Sequence, residues 1–326
     1  MIEENIKNFN KQFSYEPVLE NAGSLEKKPK TILLGMGGSH LAADLLNAYD
    51  PGLGLVVHSN YGLPSPAGGW PKDSLRDYFV IASSHSGNTE EVLDGLQEAL
   101  ERGLPVAVIS TGGRLLEIAK EKNLPFIQLP AAGLVPRMST GFHLRALAKL
   151  LGHQTAFDES GRLASQLNPA EFEKSGRELA EKIKDRIPLI YASQANYALA
   201  FNWKTVFNET GKVPAFYNLF PELNHHEINS FDSNDSIRHL SEKFTFLILA
   251  DSQDHPRIQK RMEVLVKLYR ERNFPVEIIQ LSGEGRFYRI FSCLMLADWT
   301  GYYTARQYGL DPEAIPLVEK FKKLMS

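Results

Sequence analysis

The chain has 326 residues, of which 43% are hydrophobic and 23% are charged, and its formal net charge is −3 at pH 7. This length suits about two domains, each with its own core. The small net charge gives no general attraction to nucleic acid or anionic lipid. No apolar run approaches the length of about 18 residues that a membrane helix needs, and no signal-peptide core opens the chain. We therefore expect a cytoplasmic protein that binds neither nucleic acid nor membrane.

Strand-like apolar runs alternate with amphipathic helical runs along the chain. The strands of the first half are predicted at 31–34, 55–57, 79–82, 106–109 and 126–129. Those of the second half are predicted at 187–192, 245–250 and 276–281, and its helices at 196–208, 257–272, 286–308 and 315–325. Such alternation is typical of parallel sheets in α/β domains. The polar segment 153–175 shows little periodicity and is predicted to be a linker, so we place the domains at 1–152 and 153–326.

The lone cysteine, Cys293, lies within the apolar run 290–297. It has no second cysteine with which to form an internal disulfide, so we predict a small core residue.

The strand at 79–82 leads into Ser83-Ser84-His85-Ser86-Gly87-Asn88-Thr89-Glu90, and a helix is expected to begin near Asn88 or Thr89. The first amide groups of a helix have no intrahelical partner and can bind an anion. The hydroxyls that would complete a phosphate cradle belong to Ser84, Ser86 and Thr89. An ordinary helix start, with Asn88 and Glu91 as a capping box, explains the same residues. The residues alone leave both interpretations open.

Another glycine-rich turn, Gly35-Met36-Gly37-Gly38-Ser39, follows the strand at 31–34. A dinucleotide-binding turn would carry a third glycine and, about 20 residues later, an acidic residue. His40 follows this turn, and Leu53-Gly54-Leu55 offers no acid. Nucleotide binding is therefore the less favoured interpretation.

The candidate acid/base residues lie in the second half, where Glu209 and His225 flank an aromatic-rich stretch. A partly desolvated carboxylate has a raised pKa and is a useful base. The alternatives are that Glu209 is a solvated surface charge and that His225 is a loop hydrogen-bonding residue. A metal site formed by His225, His226 and Glu227 is less favoured, because adjacent side chains diverge and no HExxH spacing is present. We expect neither metal nor cofactor.

The sequence S-x-S-G-N-T-E-E after a strand resembles the phosphosugar-binding loop of SIS (sugar isomerase) domains. G-M-G-G-S is also what SIS isomerases carry after their first strand. The resemblance implies an α/β fold of two doubly wound parallel-sheet SIS domains. It also implies that Ser84, Ser86 and Thr89 bind the phosphate of a sugar phosphate and that Gly37, Gly38 and Ser39 face the ligand.

The second-half motifs N-E-x-x-K and F-P-E-x-N-H-x-E-I, together with Pro136-Arg137 and D-P-x-x-I-x-x-V-x-x-F-K at 311–322, are similar to those of bifunctional phosphoglucose/phosphomannose isomerases. This resemblance implies that Glu209 moves the proton between C1 and C2 of a hexose 6-phosphate and that His225 opens the ring. Arg137 would stabilise the enediolate, and Lys322 would assist at the ring oxygen. It further implies a homodimer in which His225 is supplied across the interface.

Lys322 can also be placed by helical periodicity, at the edge of an apolar face formed by Val318, Phe321 and Met325. We expect that face to be buried. A lysine at its edge could equally extend its charge into solvent.

The chain departs from the family pattern at His40, His85, Thr210 and His226, which lie beside expected ligand contacts. These departures bear on substrate choice and rate. The rival functions are a non-catalytic sugar-phosphate sensor, which would need neither Glu209 nor His225, and a two-SIS enzyme acting on an amino sugar phosphate. The latter normally arrives with a glutaminase domain and its nucleophilic cysteine.

Overall fold

The computed structural model describes residues 2–65, 74–232 and 235–325. The chain divides into two compact units. The first unit is Phe9–Gln166, and the second unit joins Met1–Asn8 to Leu167–Ser326. Helix α1 (Ile2–Lys7) therefore belongs to the second unit.

The first unit is an α/β layer structure around a parallel sheet. Its strands are β1 (Leu19–Glu20), β2 (Lys30–Leu34), β3 (Val56–His58), β4 (Tyr78–Ser84), β5 (Val106–Ser110) and β6 (Phe126–Gln128). Its helices are α2 (Gly38–Tyr49), α3 (Glu90–Glu101), α4 (Gly113–Glu121), α5 (Thr140–Leu151) and α6 (Gln154–Gln166). The described residues form a 6-stranded sheet in the order β1-β6-β5-β4-β2-β3. Only the short β1, in this part of the chain, pairs antiparallel.

The second unit repeats this design with a smaller sheet. Its strands are β7 (Ile187–Ser193), β8 (Phe216–Phe220), β9 (Phe244–Asp251) and β10 (Val276–Leu281). Its further helices are α7 (Glu173–Lys182), α8 (Tyr197–Val206), α9 (Arg238–Ser241), α10 (Pro256–Glu271), α11 (Arg286–Gln307) and α12 (Pro316–Met325). Across the described residues the 4-stranded sheet is parallel, in the order β10-β9-β7-β8. The predicted doubly wound α/β class is confirmed.

Each sheet has a topological switch point, which is the place where the chain reverses the direction in which it adds strands. In the first unit it lies between β2 and β4, and in the second unit between β7 and β9. Ligands of open α/β sheets bind in the crevice at the carboxyl ends of the strands at such a point. The fully buried β4 thus delivers the loop after Ser84 to the expected place.

The segment predicted as a linker is helical, because α6 and α7 occupy most of it. Arg145 on α5 helps to hold α6 in the first unit, beside the buried Ala156, Ser160 and Leu163 of α6 itself. Its buried guanidinium donates to the Phe157 carbonyl on α6 and, at 2.8 Å, to the Glu16 carboxylate. The boundary between the compact units therefore follows α6 rather than preceding it.

Cys293 is buried, as predicted. Its Sγ accepts a hydrogen bond of 3.2 Å from Nε1 of Trp203, and burial raises the pKa of the thiol to about 12. Among the described residues, no helix has both the length and the apolar character needed to cross a membrane.

Candidate active site

The glycine turn after β2 forms one side of the switch point in the first unit. Gly37 precedes α2 with φ 53° and ψ −125°, a backbone conformation that favours glycine. A Cβ atom on Gly38 would lie only 2.9 Å from the carbonyl oxygen of Pro136 and 3.0 Å from Cα of Arg137. The absence of side chains here lets the Arg137 turn (Pro136–Met138, a 3₁₀ turn) approach the glycine turn.

The loop after β4 is shaped by its own hydroxyl groups. The Oγ of Ser84 is buried, lies 2.8 Å from Oγ1 of Thr89, and accepts a hydrogen bond of 3.1 Å from the Gly87 amide. Gly87 has φ 72°, and a Cβ there would lie 1.8 Å from the Gly112 carbonyl oxygen. Ser86 is exposed, and its Oγ accepts from the Asn88 amide at 3.3 Å. Ser84 thus builds the loop, whereas Ser86 faces solvent.

Helix α3 begins at Glu90 with Thr89 as its N-cap, so the alternative of a capping box formed by Asn88 and Glu91 is wrong. Thr89 makes no side-chain capping bond, and the Oδ1 of Asn88 instead accepts from the Arg114 amide at 3.0 Å. The amide groups at the start of α3 are thus not capped by a side chain. An anion can bind at such a position.

Hydrogen bonds join this loop to the other two segments. The amide of His85 donates to Oγ of Ser39 at 3.0 Å, and Oγ of Ser83 donates to the Ser39 carbonyl at 3.2 Å. The His85 ring contacts Oγ of Ser139, which follows the Arg137 turn, at 3.0 Å. The first unit therefore brings together these predicted site residues: Gly37, Gly38, Ser39, Ser84, Ser86, Thr89 and Arg137.

Burial also lowers the pKa values of two histidines, His85 in the loop and His143 on α5. His143 on α5 is buried, its Nδ1 lies 3.3 Å from Oγ of Ser83, and its Nε2 has no hydrogen-bond partner. Desolvation, reinforced by the neighbouring His85, lowers the pKa of His143 to about 3. Burial likewise lowers the pKa of His85, partly offset by its bond to the Leu134 carbonyl. Both rings are neutral at pH 7.

In the second unit, Glu209 lies in a π-helical turn, Phe207–Gly211, that continues α8. Its side chain is half-buried, while the flanking Thr210 and Gly211 are buried. Lys212 ends the turn with φ 61°, and its Nζ donates to the carbonyl oxygens of Glu209 and Ala314. π-Helical turns occur frequently at functional sites because they reorient side chains within a helix. The sequence indicated a helix end here but gave no sign of the extra residue in the turn.

His225 ends a short 3₁₀ helix, Glu222–His225, that follows the cis peptide bond between Phe220 and Pro221. The His225 side chain is exposed. The segment after it is anchored by Glu227, whose carboxylate accepts hydrogen bonds from the Tyr191 hydroxyl and the Asn218 amide. Glu227 belongs to the sequence motif, but its structural function depends on Tyr191 and Asn218 and could not be predicted from the motif.

The triad considered as a metal site is not assembled. Glu227 turns inward to Tyr191 and Asn218, whereas Nε2 of His226 lies 3.8 Å from Glu222. In the part of the chain that the structure describes, no group of three His, Cys, Asp or Glu side chains is placed to hold a metal ion.

Lys322 is exposed on α12. Among the residues that the structure describes, nothing covers the apolar face beside it, so the expected burial of that face is wrong. No residue of α12 is buried, and Val318, Phe321 and Met325 are all exposed. The helical spacing did place these apolar residues on one side of the helix. It could not indicate whether that side would be covered.

A groove of about 740 Å³ opens elsewhere in the second unit, between α10 and strands β9 and β10. Met262, Val266 and Ile278 are among its apolar lining residues, and no predicted site residue lines it. Gln259 at its rim is bonded to the carbonyl oxygens of Ser252 and Asp254. Its size alone does not connect it with the chemistry expected at Glu209.

The fold and the hydroxyl-lined loop at the first switch point define a class, the SIS-domain proteins. Residues 172–325 match the model of the bacterial phospho-glucose isomerase C-terminal SIS domain. Among solved structures, glucosamine-6-phosphate deaminase from Thermotoga maritima superposes with a TM-score of 0.70 at 16% identity, covering 97% of this chain and 96% of that one. Tagatose-6-phosphate ketose/aldose isomerase from Escherichia coli gives a TM-score of 0.66 at 17% identity, with 96% and 94% covered. These likenesses show the fold.

Sequence similarity is more specific. The chain is 31% identical to the bifunctional phosphoglucose/phosphomannose isomerase of Aquifex aeolicus over 98% of this chain and 96% of that protein. It is 31% identical to the protein of the same name from Caldicellulosiruptor bescii, with 91% and 89% covered. The chain therefore belongs to the bifunctional phosphoglucose/phosphomannose isomerase family of enzymes. A D-glucosamine-6-phosphate 4-epimerase from Sulfolobus acidocaldarius is 29% identical over 68% of this chain and 71% of its own length.

Proposed function

We propose that this enzyme interconverts glucose 6-phosphate and mannose 6-phosphate with fructose 6-phosphate through a shared cis-enediol(ate). The observation that carries the proposal is the hydroxyl-lined, glycine-shaped loop between β4 and α3 at the switch point of the first unit. Membership of the phosphoglucose/phosphomannose isomerase family favours a hexose 6-phosphate as the ligand of this loop. The presence of both Glu209 and His225 favours an enzyme over a sugar-phosphate sensor.

The phosphate is held by Ser86, Thr89 and the amides at the start of α3. Ser84 keeps the loop in shape through its bonds to Thr89 and Gly87. A helix N-terminus with hydroxyl donors can bind a dianion without a lysine or arginine, because its amides and dipole both favour negative charge. Ser39 and the backbone at Gly37 and Gly38 face the sugar.

Proton transfer between C1 and C2 is assigned to Glu209. Glucose 6-phosphate and mannose 6-phosphate differ only at C2 and lose that difference in the enediolate, so one base can serve both. Arg137 stabilises the negative charge that develops on the oxygens, which is the function of a preorganised cation in a transition state. His225 opens the sugar ring, and Lys322 assists at the ring oxygen.

Glu209→Gln tests this assignment because it keeps the side-chain shape and removes the proton acceptor. We expect kcat for both aldose phosphates to fall by about 10²–10⁴-fold, with nearly unchanged affinity for a linear substrate analogue. The measurement is solvent hydrogen exchange at C2 in deuterated water, followed by NMR. Glu181→Gln, at an exposed glutamate on α7, is the matched control. Exchange at the wild-type rate in Glu209→Gln would remove Glu209 from the mechanism.

The amino-sugar alternative is tested with glucosamine 6-phosphate beside the three hexose phosphates. We expect isomerisation of glucose 6-phosphate and mannose 6-phosphate to exceed any conversion of the amino sugar by at least about 10²-fold in kcat/KM. Preferential turnover of glucosamine 6-phosphate would assign the site to that rival class.

We further propose a cytoplasmic homodimer in which each active site receives His225 from the other subunit. The exposure of His225 at the end of its 3₁₀ helix is compatible with this arrangement. Mixing Glu209→Gln with His225→Ala after dissociation tests it, because each mixed dimer then contains one site with both residues intact. We expect about one quarter of the wild-type activity to return. A mixture as inactive as its parents would show that His225 acts within its own chain.

A further inference from the structure

We infer that His85 is a positioning residue that holds the Arg137 turn against the phosphate loop, which is the segment 84–89 between β4 and α3. The inference rests on the function proposed above for Arg137, which it deepens. His85 lies within the loop itself, between Ser84 and Ser86. Its ring makes hydrogen bonds to the segment 134–139.

The two ring nitrogens bind on either side of Arg137. Nε2 of His85 lies 3.2 Å from the carbonyl oxygen of Leu134, three residues before Arg137, and Nδ1 lies 3.0 Å from Oγ of Ser139, two residues after it. One ring therefore holds both ends of the turn. Within the turn, the amides of Met138 and Ser139 donate to the carbonyls of Val135 and Pro136 at 2.9 and 3.2 Å.

The backbone of His85 is fixed independently of this ring. Its amide donates to Oγ of Ser39 at 3.0 Å, and its carbonyl accepts from the amide of Thr111 at 3.2 Å. A side-chain substitution at position 85 therefore leaves these backbone bonds available. The phosphate loop should keep its place while the Arg137 turn loses its anchors.

Proton counting shows which bonds the ring supplies. In the neutral ring, Nε2–H donates to the Leu134 carbonyl, and Nδ1 can only accept. Its donor is the Ser139 hydroxyl, whose single proton also has the Pro136 carbonyl within reach at 2.8 Å. The bond to the Leu134 carbonyl thus depends on His85 alone. Ser139, in contrast, can also stabilise the turn by donating to the Pro136 carbonyl. We expect the contact to Leu134 to be the more important one.

Three substitutions separate these contacts. Gln places an amide nitrogen near the position of Nε2 and can keep the bond to Leu134. Asn places its amide near the position of Nδ1 and can keep only the bond to Ser139. Phe keeps the ring and removes both bonds. Misplacing a catalytic group by about 1 Å can cost about 10²-fold in rate, so we expect kcat to fall most in His85→Phe, less in His85→Asn and least in His85→Gln.

His153→Phe is the matched control, because it also removes a histidine of the first unit with two hydrogen bonds. Nε2 of His153 lies 3.0 Å from Asp50, and its Nδ1 accepts from the Ala156 amide at 3.2 Å. These bonds are remote in sequence from the residues of the phosphate loop and the Arg137 turn. This control should lower stability without changing kcat.

A double-substitution cycle with Arg137→Ala distinguishes positioning from a general structural effect. We expect His85→Phe to lower kcat by about 10–100-fold in the wild-type background and to have little further effect when Arg137 is already alanine. The affinity for inorganic phosphate should change by less than about threefold, since the phosphate loop stays in place. Equal losses of kcat in both backgrounds would overturn the inference.

Amide hydrogen exchange across 134–139 gives a readout that is independent of activity. We expect faster exchange at Met138 and Ser139 in His85→Phe, recovery in His85→Gln, and no change in His153→Phe. Unchanged exchange in His85→Phe would overturn the inference whatever the kinetics show. If Arg137→Ala alone kept full kcat, the proposed function of Arg137 would fail, and the exchange data would still decide whether His85 anchors the turn.

Discussion

The switch points of the two units occupy the same place in the topology and are filled differently. After β4 in the first unit comes a glycine loop with exposed Ser86 and an α3 N-terminus that no side chain caps. In the second unit β7 ends at the buried Ser193, whose hydroxyl donates to Asp254 at 2.5 Å. We propose that the first of these edges receives an anion. The other is closed by its own polar side chains.

The closing group in the second unit is an ion pair between the buried Asp251 and the partly buried Arg286. Arg286, at the start of α11, donates to Asp251 at 2.5 Å and to Oδ1 of Asn196 at 2.8 Å. The Asp251 carboxylate thus lies at the carboxyl ends of β7 and β9, where the anionic group of a ligand would bind. The same fold provides both positions, and the side chains after each strand decide which one is open.

The largest expected effect comes from breaking the ion pair. Arg286→Met leaves Asp251 buried without its cation, and we expect a loss of about 3–5 kcal/mol in the free energy of unfolding. The double variant with Asp251→Asn should recover part of that loss, because no uncompensated charge remains. Urea denaturation measures all three proteins. A loss below about 1 kcal/mol in the single variant would show that the pair does not hold this edge closed.

Gly87 in the first unit and Gly285 in the second differ in the space available to an added side chain. Ala at Gly87 would combine a positive φ with a Cβ 1.8 Å from the Gly112 carbonyl, whereas Ala at Gly285 would have φ 81° and no heavy atom within 4 Å. We expect Gly285→Ala to lower stability by about 1–3 kcal/mol, because φ 81° with ψ 146° is a conformation almost exclusive to glycine. Gly87→Ala should lower it by about 2–4 kcal/mol and abolish phosphate binding. Equal losses by denaturation would contradict the close packing of the phosphate loop.

Much of this architecture was predictable from sequence because buried parallel strands are continuous apolar runs. β4, β5, β7, β9 and β10 all lie within a residue or two of their predicted positions. β8 was missed because Phe216 to Phe220 is an edge strand with an exposed start, and its aromatic residues did not form a recognisable strand pattern. The linker prediction was wrong because the polar helix α6 buries only a narrow stripe, Ala156, Ser160 and Leu163, and is also bonded to the buried Arg145.

Only those parts of the site that carry a local sequence motif could be predicted. The hydroxyl loop and Arg137 have local signatures, and the topology brings them together. The hydrogen bonds that connect these segments have no local sequence signature. They join Ser39 to the His85 amide, 46 positions apart, and His85 to Ser139, 54 positions apart. Likewise, the Asp251–Arg286 pair that closes the second unit joins residues 35 positions apart, and no local pattern indicates it.

Hydroxyl deletions test which edge binds phosphate. Ser86→Ala and Thr89→Ala each remove a hydrogen bond to a charged group, and we expect each to weaken phosphate binding by about 1.5–3 kcal/mol. Ser193→Ala is the matched deletion at the closed edge and should leave phosphate affinity unchanged while lowering stability. Isothermal titration calorimetry gives the affinities. Unchanged affinity in both first-unit variants would place the phosphate elsewhere.

Acid should act in opposite directions on one buried group of each unit, His143 in the first and Asp254 in the second. The pKa of His143 is lowered to about 3 in the folded first unit, so below the ordinary histidine pKa of about 6.5 the unfolded state binds a proton that the folded state does not. Stability of the first unit therefore falls as the pH falls, by about 1.4 kcal/mol per pH unit for this group. His85 shifts in the same direction.

In the second unit, burial raises the pKa of Asp254, with the nearby Asp251 adding to the shift and the Ser193 bond opposing it. The folded state then binds a proton more readily than the unfolded state, so the contribution of Asp254 to stability increases as the pH falls. Native-state hydrogen exchange at pH 7.5, pH 5 and pH 4, resolved for each unit, measures both changes. His143→Asn, which can keep the contact to Ser83, should flatten the acid-dependent loss in the first unit and leave the second unit unaltered. An unchanged slope in this variant would mean that His143 is not the group that makes the first unit sensitive to acid.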